Sequence, residues 1–372
     1  MTSASALTRR RLDGPAAPPI RLMIVDDSEV ARAVLSRMVA VHEEFEIVAT
    51  AGNAGEALDA LKSVSVDIII LDVEMPGASG LEALPEIIRA GRGARVLIVS
   101  SMAEHGAETS VRALALGAAD ALAKPGIGNF AGRFADVLAD RLRRIGPAER
   151  EAERGADEPD APITLREMGE GELGCVALGA STGGLHALFA FLRALPERIG
   201  APILVTQHLP AIFMPHFARQ LESASGRIAH VAEDGGLLVP EHIHVAPGDA
   251  HLCVVRSGSE VRARLERKRA QSGCMPSCDP MLDSVASVYG RNGVGVLLSG
   301  MGRDGAIGAR RLVESGGAIL AQDRHSAAIW GMPRAVAEAG LACAVLPPAE
   351  LARRVGQRAE TSPAQREMSA WR

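Results

Sequence analysis

The sequence points to two α/β domains in tandem: an N-terminal doubly wound (βα)5 unit and a C-terminal parallel α/β unit with an antiparallel hairpin insertion. Three observations carry this expectation. The chain has 372 residues, room for two domains of ordinary size. In both halves short apolar runs alternate with amphipathic, helix-period stretches. Between the halves, residues 149–172 hold nine acidic and three basic residues, two prolines and three glycines, with no apolar periodicity. That is the composition of a solvated linker.

The elements follow in order. Residues 1–19 carry arginines but no apolar core of a secretory signal, and read as a short disordered lead-in. Over 20–144 the apolar runs are RLMIV (21–25), EIVAT (46–50), DIIIL (67–71), RVLIV (95–99) and ADALA (119–123). Amphipathic helices fit between them, and five such units build a doubly wound parallel sheet. A linker spans 145–172. From 173 to 356 the runs CVALG (175–179), PILVT (202–206), VGVLL (294–298) and AILA (318–321) are again followed by helical stretches. Within 228–264, IHVAP and HLCVV flank the turn GDA, a hairpin pattern. The last residues, 357–372, are polar and expected to fray.

Composition excludes several classes. Apolar residues make up 47% and charged residues 23%, the balance of a soluble globular protein. Only 3% are aromatic and the net charge is −5, which argues against a base-stacking or polyanion-seeking nucleic-acid binder. Five scattered cysteines make no disulfide framework and suit a reducing, cytoplasmic compartment. No run of eighteen apolar residues occurs, so no direct membrane insertion is expected.

In the first half, Asp26 and Asp27 follow the first run, Asp72 the third, Ser100 the fourth and Lys124 the fifth. All fall at carboxyl ends of parallel strands, where open α/β sheets place their sites. Three carboxylates meeting there repel one another without a cation. Mg2+ with retained waters is the hard, oxygen-seeking ion that suits them. The metal and the Lys124 ammonium would then neutralise a phosphoryl group carried by one carboxylate. Taken singly, Asp26 and Asp27 also read as caps of the following helix, and Lys124 as a surface lysine. The ordered set across the strands is more specific. This half resembles the receiver domain of two-component response regulators over about residues 20–144. The resemblance implies Asp72 as phosphoacceptor, Asp26, Asp27 and Asp72 around Mg2+, Ser100 as the hydroxyl switch contact and Lys124 as the phosphoryl-binding lysine. It departs at Ser79-Gly80, where many receivers carry Asp-Gly; serine suits a turn as well.

In the second half, Gly179-Ala180-Ser181-Thr182-Gly183-Gly184 sits between the run CVAL and a helical stretch. It contains G-x-S-x-G in the strand-to-helix setting that lifts a nucleophilic serine onto a tight turn. Glycines let the backbone bend, and the helix N-terminus offers free N–H donors to a developing oxyanion. His208 follows the next strand and Asp304 a later one, so all three lie past strand ends on one rim. A hydroxyl needs an imidazole to take its proton, and a carboxylate to fix the tautomer of that imidazole. The order Ser, His, Asp differs from that of the α/β-hydrolases. GASTGG alone also reads as a phosphate or dinucleotide cradle, His208 as a structural histidine and Asp304 as a helix cap. Against the cradle, the following strand ends Val205-Thr206-Gln207-His208 without a ribose-binding acid.

GASTGG, QHLP with Phe213 after it, AEDG, VAPGD, PSCD, LLSGMGRDGA, AQD and GMPRAV occur in this order. The string is similar to the catalytic domain of chemotaxis-type protein-glutamate methylesterases, the CheB family, over about 173–356. The resemblance implies Ser181 as nucleophile, His208 as base, Asp304 as the orienting carboxylate, and backbone N–H groups near Thr182 and Met301 as oxyanion donors. It implies no cofactor in this half. Leu185 departs from a common proline, Cys274 from a histidine or other polar residue, and Cys278-Asp279-Pro280 from Val-Asp-Val. Pro280 still suits a first helical position, and these changes are expected at the pocket rim. His242 with His244, and Cys274 with Cys278, show no recognised zinc spacing. His186, in the first turn of the helix behind the nucleophile, reads as surface or partly packed. The basic run RARLERKRA (262–270) reads as a solvated face or strand edge, one that would also attract an acidic receptor helix.

The resemblance implies a phosphorylation-activated hydrolase. It would remove methyl groups from glutamate γ-methyl esters of methyl-accepting chemoreceptors and deamidate receptor glutamines. Receptor cytoplasmic helices would be the substrate and a chemotaxis histidine kinase the phosphodonor. In that family the unphosphorylated receiver lies across the catalytic rim. Two other readings stand beside it: a phospho-dependent adaptor that holds receptor or kinase with little catalysis, and a receiver joined to a nucleotide-binding α/β domain.

Overall fold

A computed structural model describes residues 18–75, 80–100, 104–124, 131–146, 163–169 and 171–360. Most of the expected lead-in and linker, residues 361–372 of the expected tail, and Ser79 lie outside these.

In the first domain β1 (Ile20–Val25), β2 (Phe45–Ala51), β3 (Ile68–Leu71), β4 (Arg95–Ser100) and β5 (Asp120–Ala123) form one parallel sheet. Their order is β2-β1-β3-β4-β5. The runs are continuously apolar because helices cover both faces of the sheet. Leu22, Ile24, Ile68 and Ile70 face α1 (Glu29–Ala40) and α5 (Ala131–Ile145) through Leu35, Val39, Leu138 and Leu142. Met23, Val25, Ile69 and Leu71 face α2 (Ala54–Leu61), α3 (Gly80–Ala90) and α4 (Glu104–Ala115) through Leu61, Leu84, Ile87 and Val111. Side-chain caps start two of these helices: Ser28 accepts from the Ala31 N–H and Asn53 from that of Glu56.

The second domain has a sheet of seven parallel strands. They are β6 (Cys175–Ala180), β7 (Ile203–Gln207), β8 (Ala229–Val231), β9 (Ile243–Val245), β12 (Gly293–Leu297), β13 (Ala318–Gln322) and β14 (Ala342–Leu346), in the order β14-β13-β12-β6-β7-β9-β8. One face carries α6 (Gly184–Ala194), α7 (Met214–Ser225) and α11 (Pro348–Glu360). The other carries α8 (Cys278–Tyr289), α9 (Ala306–Glu314), α10 (Met332–Glu338) and a hairpin of β10 (His251–Ser257) with β11 (Glu260–Glu266). In each sheet the winding reverses once, between β1 and β3 and between β6 and β12. The crevices at the carboxyl ends there are where open α/β sheets hold ligands.

The structure moves two expected features. The hairpin insertion exists, but its turn is not GDA. The IHV stretch joins the main sheet as β9, parallel to both β7 and β8, and the hairpin closes at Gly258-Ser259, where Gly258 has φ 62. A three-residue buried strand is too short for alternation to reveal its partner. The polar Arg256 and Ser257 are the exposed end of β10 rather than a loop. At the C-terminus, α11 continues through residues 357–360 instead of fraying at 357. Arg358 is buried and donates to the carbonyls of Gly169 and Arg291, while Ala359 enters the core. Among the described residues no helix is long and apolar enough to cross a membrane.

Helices α8 and α9 approach closely at Gly308. A Cβ there would come 2.4 Å from the carbonyl oxygen of Asp279 and 2.8 Å from Cβ of Leu282. Alanine contributes about 1 kcal/mol of helix propensity over glycine, whereas overpacking costs about 1–3 kcal/mol. Gly308→Ala is therefore expected to lower the thermal midpoint of the second domain by a few degrees. A raised midpoint in a calorimetric scan would refute the close packing.

Candidate functional site

Ser181 stands just beyond β6, His208 just beyond β7, and Asp304 in the loop from β12 to α9, so the three flank the crevice between β6 and β12. The turn after β6 needs glycine in two ways. Gly183 has φ 70, and a Cβ on it would come 2.3 Å from Cβ of Ala328. Gly300 lies against the nucleophile turn, where a Cβ would come 2.8 Å from Cβ of Ser181.

The Ser181 Oγ lies 3.0 Å from His208 Nδ1, and His208 Nε2 lies 2.9 Å from Asp304 Oδ2. The hydroxyl donates to Nδ1 and the Nε2–H donates to Asp304. Asp304 accepts two more hydrogen bonds, from Ser277 Oγ at 2.5 Å and from the Cys278 N–H at 2.7 Å. Burial opposes ionisation of Asp304. The hydrogen bonds from His208, Cys278 and Ser277 outweigh it and hold the carboxyl below the usual carboxylate range. A fixed carboxylate selects the Nε2–H tautomer and leaves the Nδ1 lone pair aimed at Ser181. This is the hydrogen-bond sequence that a nucleophile, a base and an orienting group require. Among the described residues no protein acceptor engages the N–H of Thr182 or of Met301.

Sequence reasoning missed the supporting groups. Ser277 caps α8 and holds Asp304, Gln207 donates to the Ser181 carbonyl at 2.9 Å, and Ser299 donates to the Thr182 carbonyl at 2.9 Å. Only Ser277 carried a signal, as a cap residue ahead of Cys278-Asp279. Two expected rim residues are core: Leu185 is 2% exposed and Cys278 is 0% exposed. Cys278 fills space that Gly179 and Gly305 leave beside it. Pro280 takes the third helical position rather than the first, because Ser277 is the cap. Asp279 accepts from the N–H groups of Ile307 and Gly308, and burial pushes its carboxyl up. His186 is exposed, as expected. In the basic run, Arg262 pairs with Glu260 and Arg264 with Glu266 along β11.

In the first domain, Asp26 and Asp72 are buried and Asp27 is exposed. The Lys124 Nζ donates to Asp26 Oδ2 at 2.9 Å and to Asp72 Oδ2 at 2.6 Å. Burial pushes the Asp72 carboxyl up, and Lys124 partly offsets this. Donor oxygens of Asp26, Asp27 and Asp72 lie within 4.8 Å of one another, a set that fits a hard divalent cation such as Mg2+. Ser100 is not brought to these carboxylates. Its hydroxyl lies 2.5 Å from Ser110 Oγ and 3.4 Å from the Gly106 carbonyl, both on α4. Among the described residues a second converging set of donors is His208, Cys274 and Asp304; the histidines His242 and His244 form none.

The two sites are joined through α4. This helix packs on α6, α7 and the short turn Ala211–Phe213 that follows His208. The Ala119 carbonyl accepts the Gly183 N–H at 2.9 Å, so the first domain touches the nucleophile turn itself.

Comparison with known proteins finds relatives of both domains. Residues 22–129 match the response regulator receiver domain and residues 176–355 match the CheB methylesterase. A protein-glutamate methylesterase/protein-glutamine glutaminase of Caulobacter vibrioides is 40% identical over 351 residues, covering 92% of this chain and 99% of that protein. One from Paramagnetospirillum magneticum is 36% identical over 364 residues, covering 91% and 96%. Among solved structures, the Thermotoga maritima CheB methylesterase catalytic domain aligns at 34% identity with a TM-score of 0.48, over 50% of this chain and 97% of that one. With both domain families matched and near full-length relatives at these identities, the chain belongs to the CheB methylesterase family and carries an N-terminal response regulator receiver domain.

Proposed function

We propose that this chain is a cytoplasmic, phosphorylation-activated hydrolase that removes methyl groups from glutamate γ-methyl esters of methyl-accepting chemoreceptors and deamidates receptor glutamines. The observation that carries the chemistry is the hydrogen-bonded sequence from Ser181 through His208 to Asp304. Ser181 Oγ attacks the ester carbonyl as its proton passes to His208 Nδ1. Asp304 stabilises the imidazolium, and the N–H groups of Thr182 and Met301 receive the oxyanion. The Nδ1 proton then passes to the leaving oxygen and methanol departs. Water, deprotonated by His208, attacks the glutamyl-serine ester; the proton returns to Ser181 Oγ as that bond breaks, and a glutamate side chain is left on the receptor. An amide loses ammonia by the same route.

Regulation follows from the first domain. Asp72 is the phosphoacceptor and a chemotaxis histidine kinase the donor. Asp26, Asp27 and Asp72 would hold Mg2+, which would supply charge neutralisation there, and Lys124 would hold a phosphoryl oxygen. A phosphoryl group would draw the Ser100 hydroxyl away from Ser110 and so loosen α4 from α6 and α7. That shifts the population towards an open arrangement that frees the Gly183 turn.

Methanol release from methylated chemoreceptor tests the reaction. Release is expected from the wild type and lost in Ser181→Ala. Asp304→Asn should lower kcat by about 10⁴-fold, the scale found when a triad carboxylate is neutralised. No release from folded wild type under any condition would favour the adaptor. The switch is tested by Mg2+ with a small acyl-phosphate donor, which should raise the rate. A fragment starting near residue 171 should outpace the unphosphorylated full chain. A folded fragment that is equal or slower would sink the switch.

Asp304 also makes stability depend on pH. Its folded pKa is depressed, so its contribution is present above the unfolded carboxylate value and lost as pH falls through the folded one. Asp304→Asn should therefore melt earlier than wild type at pH ~7, and the gap should narrow below about pH 4. A gap that does not change with pH would contradict the ionised assignment.

A further inference from the structure

We propose that Cys274, His208 and Asp304 form a site for a thiophilic divalent cation such as Zn2+, and that the bound ion switches the hydrolase off. Donor atoms of the three lie within 4.8 Å of one another. A thiol, an imidazole and a carboxylate are the donor set of zinc sites with three protein ligands and one solvent position. Tetrahedral zinc holds such donors roughly 3.3–3.8 Å apart, so the Cys274 thiol needs to close by about 1 Å or so, while His208 Nε2 and Asp304 Oδ2, now 2.9 Å apart, part slightly. The chain around Cys274 can supply that movement. Residues 267–276 have no regular secondary structure, and Ser272 and Gly273 beside it are exposed. Among the described residues the Cys274 thiol otherwise makes a long contact with the Ser272 carbonyl, at 4.0 Å.

The supporting shell is already built. Asp304 is held by Ser277 Oγ and the Cys278 N–H, hydrogen bonds that fix a ligating carboxylate and are compatible with metal on its remaining lone pairs. Binding balances without any redox change. The ion sheds water, the Cys274 thiol proton leaves to solvent as the metal–sulfur bond forms, and His208 contributes a ring lone pair. Whichever ring nitrogen the metal takes, His208 can no longer both accept from Ser181 and donate to Asp304. The base is lost while the nucleophile stays in place.

The metal site stands on geometry alone, whereas its inhibitory consequence rests on the hydrolase reading, and the two are tested separately. Full-length protein is titrated with Co2+ and followed in the near ultraviolet. A thiolate-to-cobalt band is expected in wild type and Ser181→Ala, and absent in both Cys274→Ala and Cys274→Ser. Cobalt on the histidines His230, His242 and His244 would give no such band. Zn2+ affinity, read by competition with a chromophoric chelator, should fall at least about tenfold in both cysteine variants. Methanol release by wild type should stop with Zn2+, return with chelator, and need at least about tenfold more metal to stop in Cys274→Ser. A band and affinity unchanged in the cysteine variants would overturn the site. Zinc bound to an enzyme that keeps its activity would overturn the switch. Metal-free wild type that releases no methanol would strike the hydrolase reading, and the cobalt band would still decide the site.

Discussion

The second domain is organised around one buried carboxylate. Asp304 is 3% exposed, and a charge so placed costs several kcal/mol unless hydrogen bonds compensate it. Its three donors come from two places far apart in the chain, the residue after β7 and the start of α8. The compensation therefore dictates where the N-terminus of α8 must point. Ser277 both caps that helix and donates to Asp304, so helix start and charge are fixed together. Gly179 and Gly305 complete the constraint by leaving room for Cys278, the residue that brings its N–H to the carboxylate. The alignment of His208 on Ser181 is thus an outcome of how α8 packs beside β6 and β12.

The first domain balances its charges differently. Asp26 and Asp72 are buried, and Lys124 is the ammonium that bridges them, with Asp27 beside them at the surface. Among the described residues Lys124 is the one cation bonded to these carboxylates, Arg32 reaching only the backbone carbonyls of Asp26 and Asp27, and this leaves the cluster under-neutralised, the condition a divalent ion and a phosphoryl group would change. Ser100, at the end of β4, ties the sheet to α4 because its hydroxyl is shared with Ser110. In the proposed switch, charge at the end of β3 would reach the packing on α6 and α7 through this hydrogen bond and this helix.

Legibility in the sequence tracked how local the determinants are. The continuous apolar runs gave the parallel strands because sheets covered on both faces need no polar alternation. Asp26, Asp72, Ser181 and His208 were found because each sits at or next to a strand end, where position along the chain and position in space coincide. Strand β9 was assigned to a hairpin because three residues cannot declare whether they pair with a chain neighbour or with β7. Leu185 and Cys278 were placed at the rim as departures from the family pattern beside the expected site, yet both are enclosed by elements distant in sequence. The Cys278 N–H was invisible because a backbone amide has no residue signature. Cys274 gave no spacing signal either: its neighbours His208 and Asp304 lie on other loops.

The contact between Ala119 and Gly183 explains how a receiver can settle on a catalytic turn. A left-handed glycine ahead of a helix presents N–H groups at the positive end of the helix, and these attract any carbonyl within reach. The turn whose Thr182 N–H would receive an oxyanion thus also offers, one residue on, a docking point to a neighbouring domain. That single bond is worth only about 0.5–1.5 kcal/mol net. Moving a population from mostly closed to mostly open takes about 5.5 kcal/mol. A switch acting on the Gly183 bond alone would fall well short. The greater part must come from the packing of α4 against α6, α7 and the turn after His208, the surface to which Ser110 belongs through its helix. In the proposed switch the hydrogen bond would set the register of the closed state, and the helix would carry its energy.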